Sequence, residues 1–128
     1  MMTLLNGSYP FQVPIDAYGN GGFRFADMSH KGSLLCLPSG IKIWNLSAVS
    51  AADLMPEDFA AVIGEADQID VLLFGTGSTH IMPKPNVRAA CAEAGIGIEA
   101  MTTGSAARTY NILLGERRKV AAALIVVD

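Results

Sequence analysis

Gly97-Ile98-Glu99-Ala100-Met101-Thr102-Thr103-Gly104-Ser105 leads into Ala106-Ala107-Arg108-Thr109-Tyr110-Asn111-Ile112-Leu113-Leu114. That stretch passes through a charged turn, Gly115-Glu116-Arg117-Arg118, into the apolar run Val120 to Val127. The order predicts a strand, a small-polar loop, one amphipathic helix, a turn and a buried strand. Ala106, Ala107, Tyr110, Leu113 and Leu114 recur at i, i+1, i+4, i+7 and i+8, which puts them on one helical face. Arg108, Asn111 and Gly115 fall on other sides. Thr103 or Ser105 is expected to cap the helix start by accepting from an exposed backbone N–H. The closing run has no polar alternation, so both faces of its strand should be covered.

Working outward, the preceding segment repeats the pattern. Pro56-Glu57-Asp58 suits a first helical turn, because proline is tolerated there and acids favour the positive end of the helix. Phe59, Val62 and Ile63 supply that helix's buried side, and Gly64 a stop. Val71-Leu72-Leu73-Phe74 predicts a short strand, followed by the turn Gly75-Thr76-Gly77-Ser78-Thr79-His80. Pro85-Asn86 opens a second helix through Val87, Ala90, Cys91 and Ala94, ended by Gly95. Ile96 to Met101 is the next strand. Strand, helix, strand, helix, strand calls for a largely parallel sheet with covering helices. Right-handed crossovers then set the loops after Phe74 and after Met101 on the same carboxyl edge.

The front half has a different rhythm. Met1 to Pro14, with Pro10 and Pro14, is expected as an extended arm. Short runs follow at Ile15–Tyr18, Phe23–Phe25, Ser33–Leu37 and Ile41–Trp44, of which Phe23–Phe25 and Ile41–Trp44 alternate as half-buried strands do. They are punctuated by Gly19-Asn20-Gly21-Gly22, Lys31-Gly32 and Pro38-Ser39-Gly40, the mark of an antiparallel meander. The expected architecture is α/β, one compact domain over residues 1–128. It has a mostly parallel C-terminal βαβαβ sheet with covering helices, plus an N-terminal antiparallel β-meander layer.

A chain of 128 residues is long enough for one real core. Its 51% hydrophobic and 16% charged residues point to extensive burial. They also point to a second apolar surface, open to self-association into a homo-oligomer. The net charge of -3, with basic residues clustered only at Arg117-Arg118-Lys119, argues against nucleic-acid binding. No apolar run reaches the roughly 18 residues of a bilayer span. Met1 to Asn6 lacks the features of an export signal. Cys36 and Cys91 are far apart and suit buried thiols in a reducing cytoplasm.

Chemistry suggests itself only at the shared sheet edge, where open α/β sheets place ligands. Gly75, Thr76, Gly77 and Ser78 form one loop there, and Thr102, Thr103, Gly104 and Ser105 the other. Glycine permits close backbone approach, hydroxyls donate, and helix N-termini favour anions. With Arg108 one turn into its helix, and Lys84 and His80 after the first loop, these residues form a candidate site for a small anion or carboxylate. The alternative is that the same hydroxyls cap helices and satisfy turns.

Other motifs fail by context. Gly75-Thr76-Gly77-Ser78-Thr79-His80 has histidine where a dinucleotide fingerprint needs its third glycine, and Gly95 to Ala100 runs into a strand. Ser78 lies in no nucleophile elbow. His30 and His80 have no metal-ligand spacing and are expected as ordinary surface histidines, so neither a metal nor another cofactor is expected. Glu99, on an otherwise apolar strand, could serve as a general base, but pairing with Arg108 or exposure at a strand end is the favoured reading. Neither a nucleophile with its base nor an acid/base pair is visible, so no catalytic residue is assigned.

Phe74-Gly75-Thr76-Gly77, Gly95-Ile96-Gly97-Ile98-Glu99-Ala100-Met101-Thr102-Thr103 and Ala106-Ala107-Arg108-Thr109-Tyr110-Asn111-Ile112-Leu113 together resemble a family. It is the domain-of-unknown-function family typified by a methanobacterial structural-genomics protein. A mitochondrial complex I assembly factor and an adipogenesis-associated protein are among its members. Tyr18, Gly21-Gly22-Phe23, Leu37-Pro38-Ser39-Gly40 and Trp44 extend the likeness into the front half. The resemblance implies a compact α/β domain and a non-catalytic binding or assembly role. The implied partners are proteins, respiratory complex I subunits or assembly factors among them. The chain lacks the presequence of a mitochondrial member, so a bacterial cytoplasmic protein is expected. The second functional class is a small-molecule binder or enzyme using loops 75–80 and 102–108.

Overall fold

The computed structural model describes residues 7–48 and 50–128. Its strands, in chain order, are Ser8–Tyr9 (β1), Ala17–Gly19 (β2), Gly22–Phe25 (β3), Met28–Lys31 (β4), Leu34–Leu37 (β5) and Gly40–Ile43 (β6). Val71–Gly75 (β7), Gly97–Met101 (β8) and Val120–Leu124 (β9) complete them. The helices are Ala60–Ile63 (α1), entered through a 3-10 turn at Pro56–Phe59, then Pro85–Glu93 (α2) and Thr103–Gly115 (α3).

The βαβαβ unit forms as its periodicity predicts. β7 pairs in parallel with β8 on one side and with β9 on the other. The front half departs from the expected single meander. Only β2, β3 and β4 form a separate three-stranded antiparallel sheet, while β5 and β6 leave it and extend the C-terminal sheet. The result is a mixed six-stranded sheet in the order β1-β6-β5-β9-β7-β8, with β5 antiparallel to β9. The physical reason lies in Leu34-Leu35-Cys36-Leu37, whose side chains are all buried. A run without alternation needs cover on both faces, which a central strand receives and a surface meander does not.

Two further expectations are corrected. The predicted arm contains β1, whose Ser8 pairs with Lys42; Met1 to Asn6 lie outside the described residues. β4 was not expected, because the turn before it, Ala26-Asp27, lacks the glycine that marks a two-residue hairpin. Both nonetheless adopt positive φ, 47° and 62°. The turn between β2 and β3 uses Asn20-Gly21 at φ 52° and 80°, a pair that two-residue hairpins favour.

The six-stranded sheet carries a core on each side. Leu35, Leu37, Leu72, Phe74, Ala121 and Ala123 pack with Trp44, Leu54, Phe59, Val62, Val87 and Cys91. Leu34, Cys36, Leu73, Ala122 and Leu124 pack with Ala106, Ala107 and Tyr110 of α3 and with Phe23, Phe25 and Met28 of the small sheet. Small alanines on β9 let both layers approach closely. Trp44 meets Phe59 edge-on at 5.4 Å, and its indole N–H donates to the Asp58 carbonyl at 2.8 Å. The final strand stops at Leu124, shorter than the apolar run that encodes it, and Ile125 to Val127 continue as a partly buried tail.

Candidate functional site

The sheet's carboxyl edge does bring the two glycine-hydroxyl loops together. The Thr76 amide donates to the Met101 carbonyl at 2.8 Å, and the Thr103 amide to the Gly77 carbonyl at 2.9 Å. The Thr103 hydroxyl accepts from the Gly77 amide at 3.0 Å and donates to the Ile125 carbonyl at 2.6 Å. Three segments are thus tied at one point: the first loop, the start of α3 and the chain leaving β9.

The threonine hydroxyls of the two loops, Thr76, Thr102 and Thr103, are spent within the fold. Thr76 is buried; its hydroxyl donates to the Thr79 carbonyl at 2.6 Å and accepts from the Ile81 amide at 3.1 Å. Thr103 is fully buried. The cap of α3 is Thr102, not Thr103 or Ser105: its hydroxyl accepts from the Ser105 amide at 3.4 Å and lies 3.1 Å from the Ser105 hydroxyl. Gly75 is buried so tightly that a methyl there would sit 2.9 Å from the Thr103 Cα. Gly104 lies under the Tyr18 hydroxyl.

Of the predicted site residues, Ser78 and Arg108 keep exposed side chains, and Thr102 and Ser105 are half-buried. They do not converge. Ser78 lines an open groove of about 640 Å³ beside the tail Ile125–Asp128, together with Thr76, Gly77 and Thr79. Arg108 lines a separate depression of about 370 Å³ with Asp16, Tyr18 and Asn111. Its guanidinium reaches the Ser105 hydroxyl at 3.5 Å, a marginal contact. Glu99 is exposed on β8, and His80 is exposed after the first loop.

Neither thiol is arranged as a nucleophile. Cys36 is fully buried, and burial pushes its thiol up to about 12. Burial also raises Cys91. Thiols held in the neutral form are poor nucleophiles and poor metal ligands. Among the described residues, no group of three or more His, Cys, Asp or Glu is placed to hold a metal ion. Desolvation also raises the Tyr110 phenol, whose hydroxyl donates to the Val13 carbonyl at 2.7 Å.

The expectation of a surface histidine is corrected at His30. It is buried in the small sheet, and its Nε2 has no hydrogen-bond partner. The register could have revealed it: His30 faces Phe23 across β3–β4, on the side that carries Phe25 and Met28.

The fold is shared with known proteins. Residues 15–125 match the model of a family described as proteins of unknown function, DUF498/DUF598. The chain belongs to that family. A crystal structure described as an outer membrane protein from Bartonella henselae is 48% identical, with a TM-score of 0.87, over 94% of this chain and 99% of that one. An uncharacterized protein of Rhodobacter capsulatus is 37% identical over 88% of this chain and 84% of its own length. The mouse NADH dehydrogenase (ubiquinone) 1 alpha subcomplex assembly factor 3 is 32% identical over 97% of this chain, which spans 66% of that protein's length. Among the described residues, no helix is long and apolar enough to cross a membrane.

Proposed function

We propose that this protein is a non-catalytic binding and assembly accessory protein, acting on respiratory complex I subunits or their assembly factors. One observation carries the reading. The groups that a rim-based enzyme would use are consumed in holding the fold, Thr76 and Thr103 by backbone and Thr102 by its own helix. The name of the mouse relative supports the same direction. Exposed apolar side chains supply material for a docking surface: Phe11 is 63% exposed, Ile112 61% and Met82 55%.

Deleting the gene in its own host and measuring assembled complex I on native gels tests this reading. Complementation should survive Ser78→Ala and Arg108→Ala and be lost with Met82→Ser or Ile112→Ser. Normal complex I in the deletion strain would remove the proposal.

The second reading is a small anion or carboxylate held by loops 75–80 and 102–108. What favours it is the presence of Ser105 and Arg108 at the start of α3, with a hydroxyl and a guanidinium in reach of each other. Titration with phosphate, sulfate and simple carboxylates decides it, through thermal shift and its loss in Arg108→Ala. We also assign the protein to the cytoplasm, on its two free cysteines. The Bartonella relative's description as an outer membrane protein names the competing location, and cell fractionation separates the two.

A further inference from the structure

β8 ends the six-stranded sheet. The Gly97 amide donates to the Asp70 carbonyl at 3.0 Å, and the Met101 carbonyl accepts from the Thr76 amide at 2.8 Å. Bonding residues alternate along a sheet strand, so Gly97, Glu99 and Met101 turn their backbone groups toward β7. Ile98 and Ala100 therefore turn theirs outward, two amides and two carbonyls, and no other described residue engages them. The other edge of the sheet, β1, has two residues and is followed by Pro10. β8 has five residues in unbroken register with β7, and no proline. A depression of about 300 Å³, formed by Met82, Pro83, Arg88 and Ile98 to Met101, runs beside it.

We propose that this edge binds an extended segment of a different protein by strand addition, with a lysine or arginine of that segment opposite Glu99. Strand addition supplies affinity through main-chain bonds and specificity through alternate side chains. The side chains on this edge give the partner its chemistry. Ile98 and Ala100 face the core side that carries α2, with Arg88 bordering them, so apolar residues without a second cation fit there. Glu99 is exposed on the other side and asks for a base.

A second copy of this chain fits badly. The antiparallel register that would satisfy all the outward groups bonds Ile98 to Ala100 of the copy and sets Glu99 against Glu99. Directly opposed side chains lie about 4.5–5.5 Å apart at Cβ, where like charges repel. Shifting the register by two residues brings in Thr102 or Ile96. The Thr102 carbonyl already accepts from Ala106, and the Ile96 amide already donates to Cys91.

This inference rests on the binding role proposed above and specifies where it is exercised. The test uses two synthetic peptides, acetyl-Thr-Val-Lys-Val-Thr-amide and its counterpart with glutamate in place of lysine. Each is added at millimolar concentration to the labelled full chain, with amide exchange followed by NMR. The lysine peptide should slow exchange at Ile98 and Ala100, and the glutamate peptide should bind roughly tenfold more weakly. Glu99→Lys should reverse that order. No protection at these two amides, or protection indifferent to peptide charge, overturns the proposal. So does a concentration-dependent dimer of the unmodified protein with both amides protected. If β8 fails while Ile112→Ser still abolishes complementation, the binding role stands and only its location here is wrong.

Discussion

Thr103 donates its hydroxyl to the Ile125 carbonyl at 2.6 Å, and so fastens the start of α3 to the chain leaving β9. The same oxygen accepts from the Gly77 amide, and Thr103 is fully buried. Thr103→Val keeps the shape and orphans a buried donor and a buried acceptor, at about 1–3 kcal/mol each. A clear fall in the urea midpoint is expected, with Thr103→Ser restoring most of it. Equal midpoints for the valine variant and the unmodified protein would refute the structural role.

How much of this was legible beforehand differs by segment. Ala106, Ala107 and Tyr110 announced the buried face of α3, because 3.6-residue spacing is local information. The adjacency of the two loops followed from strand-helix alternation, and Gly77 and Thr103 do meet across it. What their hydroxyls do was not legible, since a serine or threonine serves caps, turns and ligands equally. The split of the meander was missed because partners are chosen by burial on both faces, which β5 shows in Leu34 to Leu37 only once β9 is known to lie alongside.

Gly75 and Gly104 stand in the two loops, yet should respond differently to alanine. At Gly75 the new methyl meets the Thr103 Cα at 2.9 Å and Leu124 at 3.0 Å, buried backbone and core that cannot move aside. Overpacking of this kind costs about 1–3 kcal/mol. At Gly104 the obstacle is the hydroxyl of Tyr18, a side chain 45% exposed and free to swing away. Alanine also favours the helix by roughly 0.5–1 kcal/mol. Gly75→Ala should therefore lower the melting temperature by several degrees while Gly104→Ala leaves it near that of the unmodified protein; the reverse order would contradict the packing.

Phe59 and Ile112 give a second contrast. Phe59 is fully buried, edge-on to Trp44 at 5.4 Å and to Phe74 at 5.3 Å, whereas Ile112 is 61% exposed. Phe59→Ala should cost about 3–5 kcal/mol through lost transfer energy and the cavity left behind. Ile112→Ala should stay within about 0.5 kcal/mol. If chemical denaturation found comparable losses, the exposed position of Ile112 would have to be abandoned, and with it the complementation test that uses Ile112→Ser.

His30 makes stability depend on pH. Burial lowers its imidazole below the ordinary 6.5, a hydrogen bond with the Ser33 backbone partly opposes this, and the buried Nε2 has no acceptor waiting for a proton. The unfolded chain therefore takes up the proton first, so its share of stability is intact above about pH 6.5. That share is lost as pH falls through the unfolded value and on toward the lowered folded one. Urea midpoints between about pH 7.5 and 5.5 lie above the range where most carboxylates titrate. They should decline for the unmodified protein and for His80→Ala, whose histidine is exposed. His30→Phe, which places a ring opposite Phe23 on the face shared with Phe25 and Met28, should flatten that decline, and an unchanged slope in this variant would mean that the proton is taken up elsewhere.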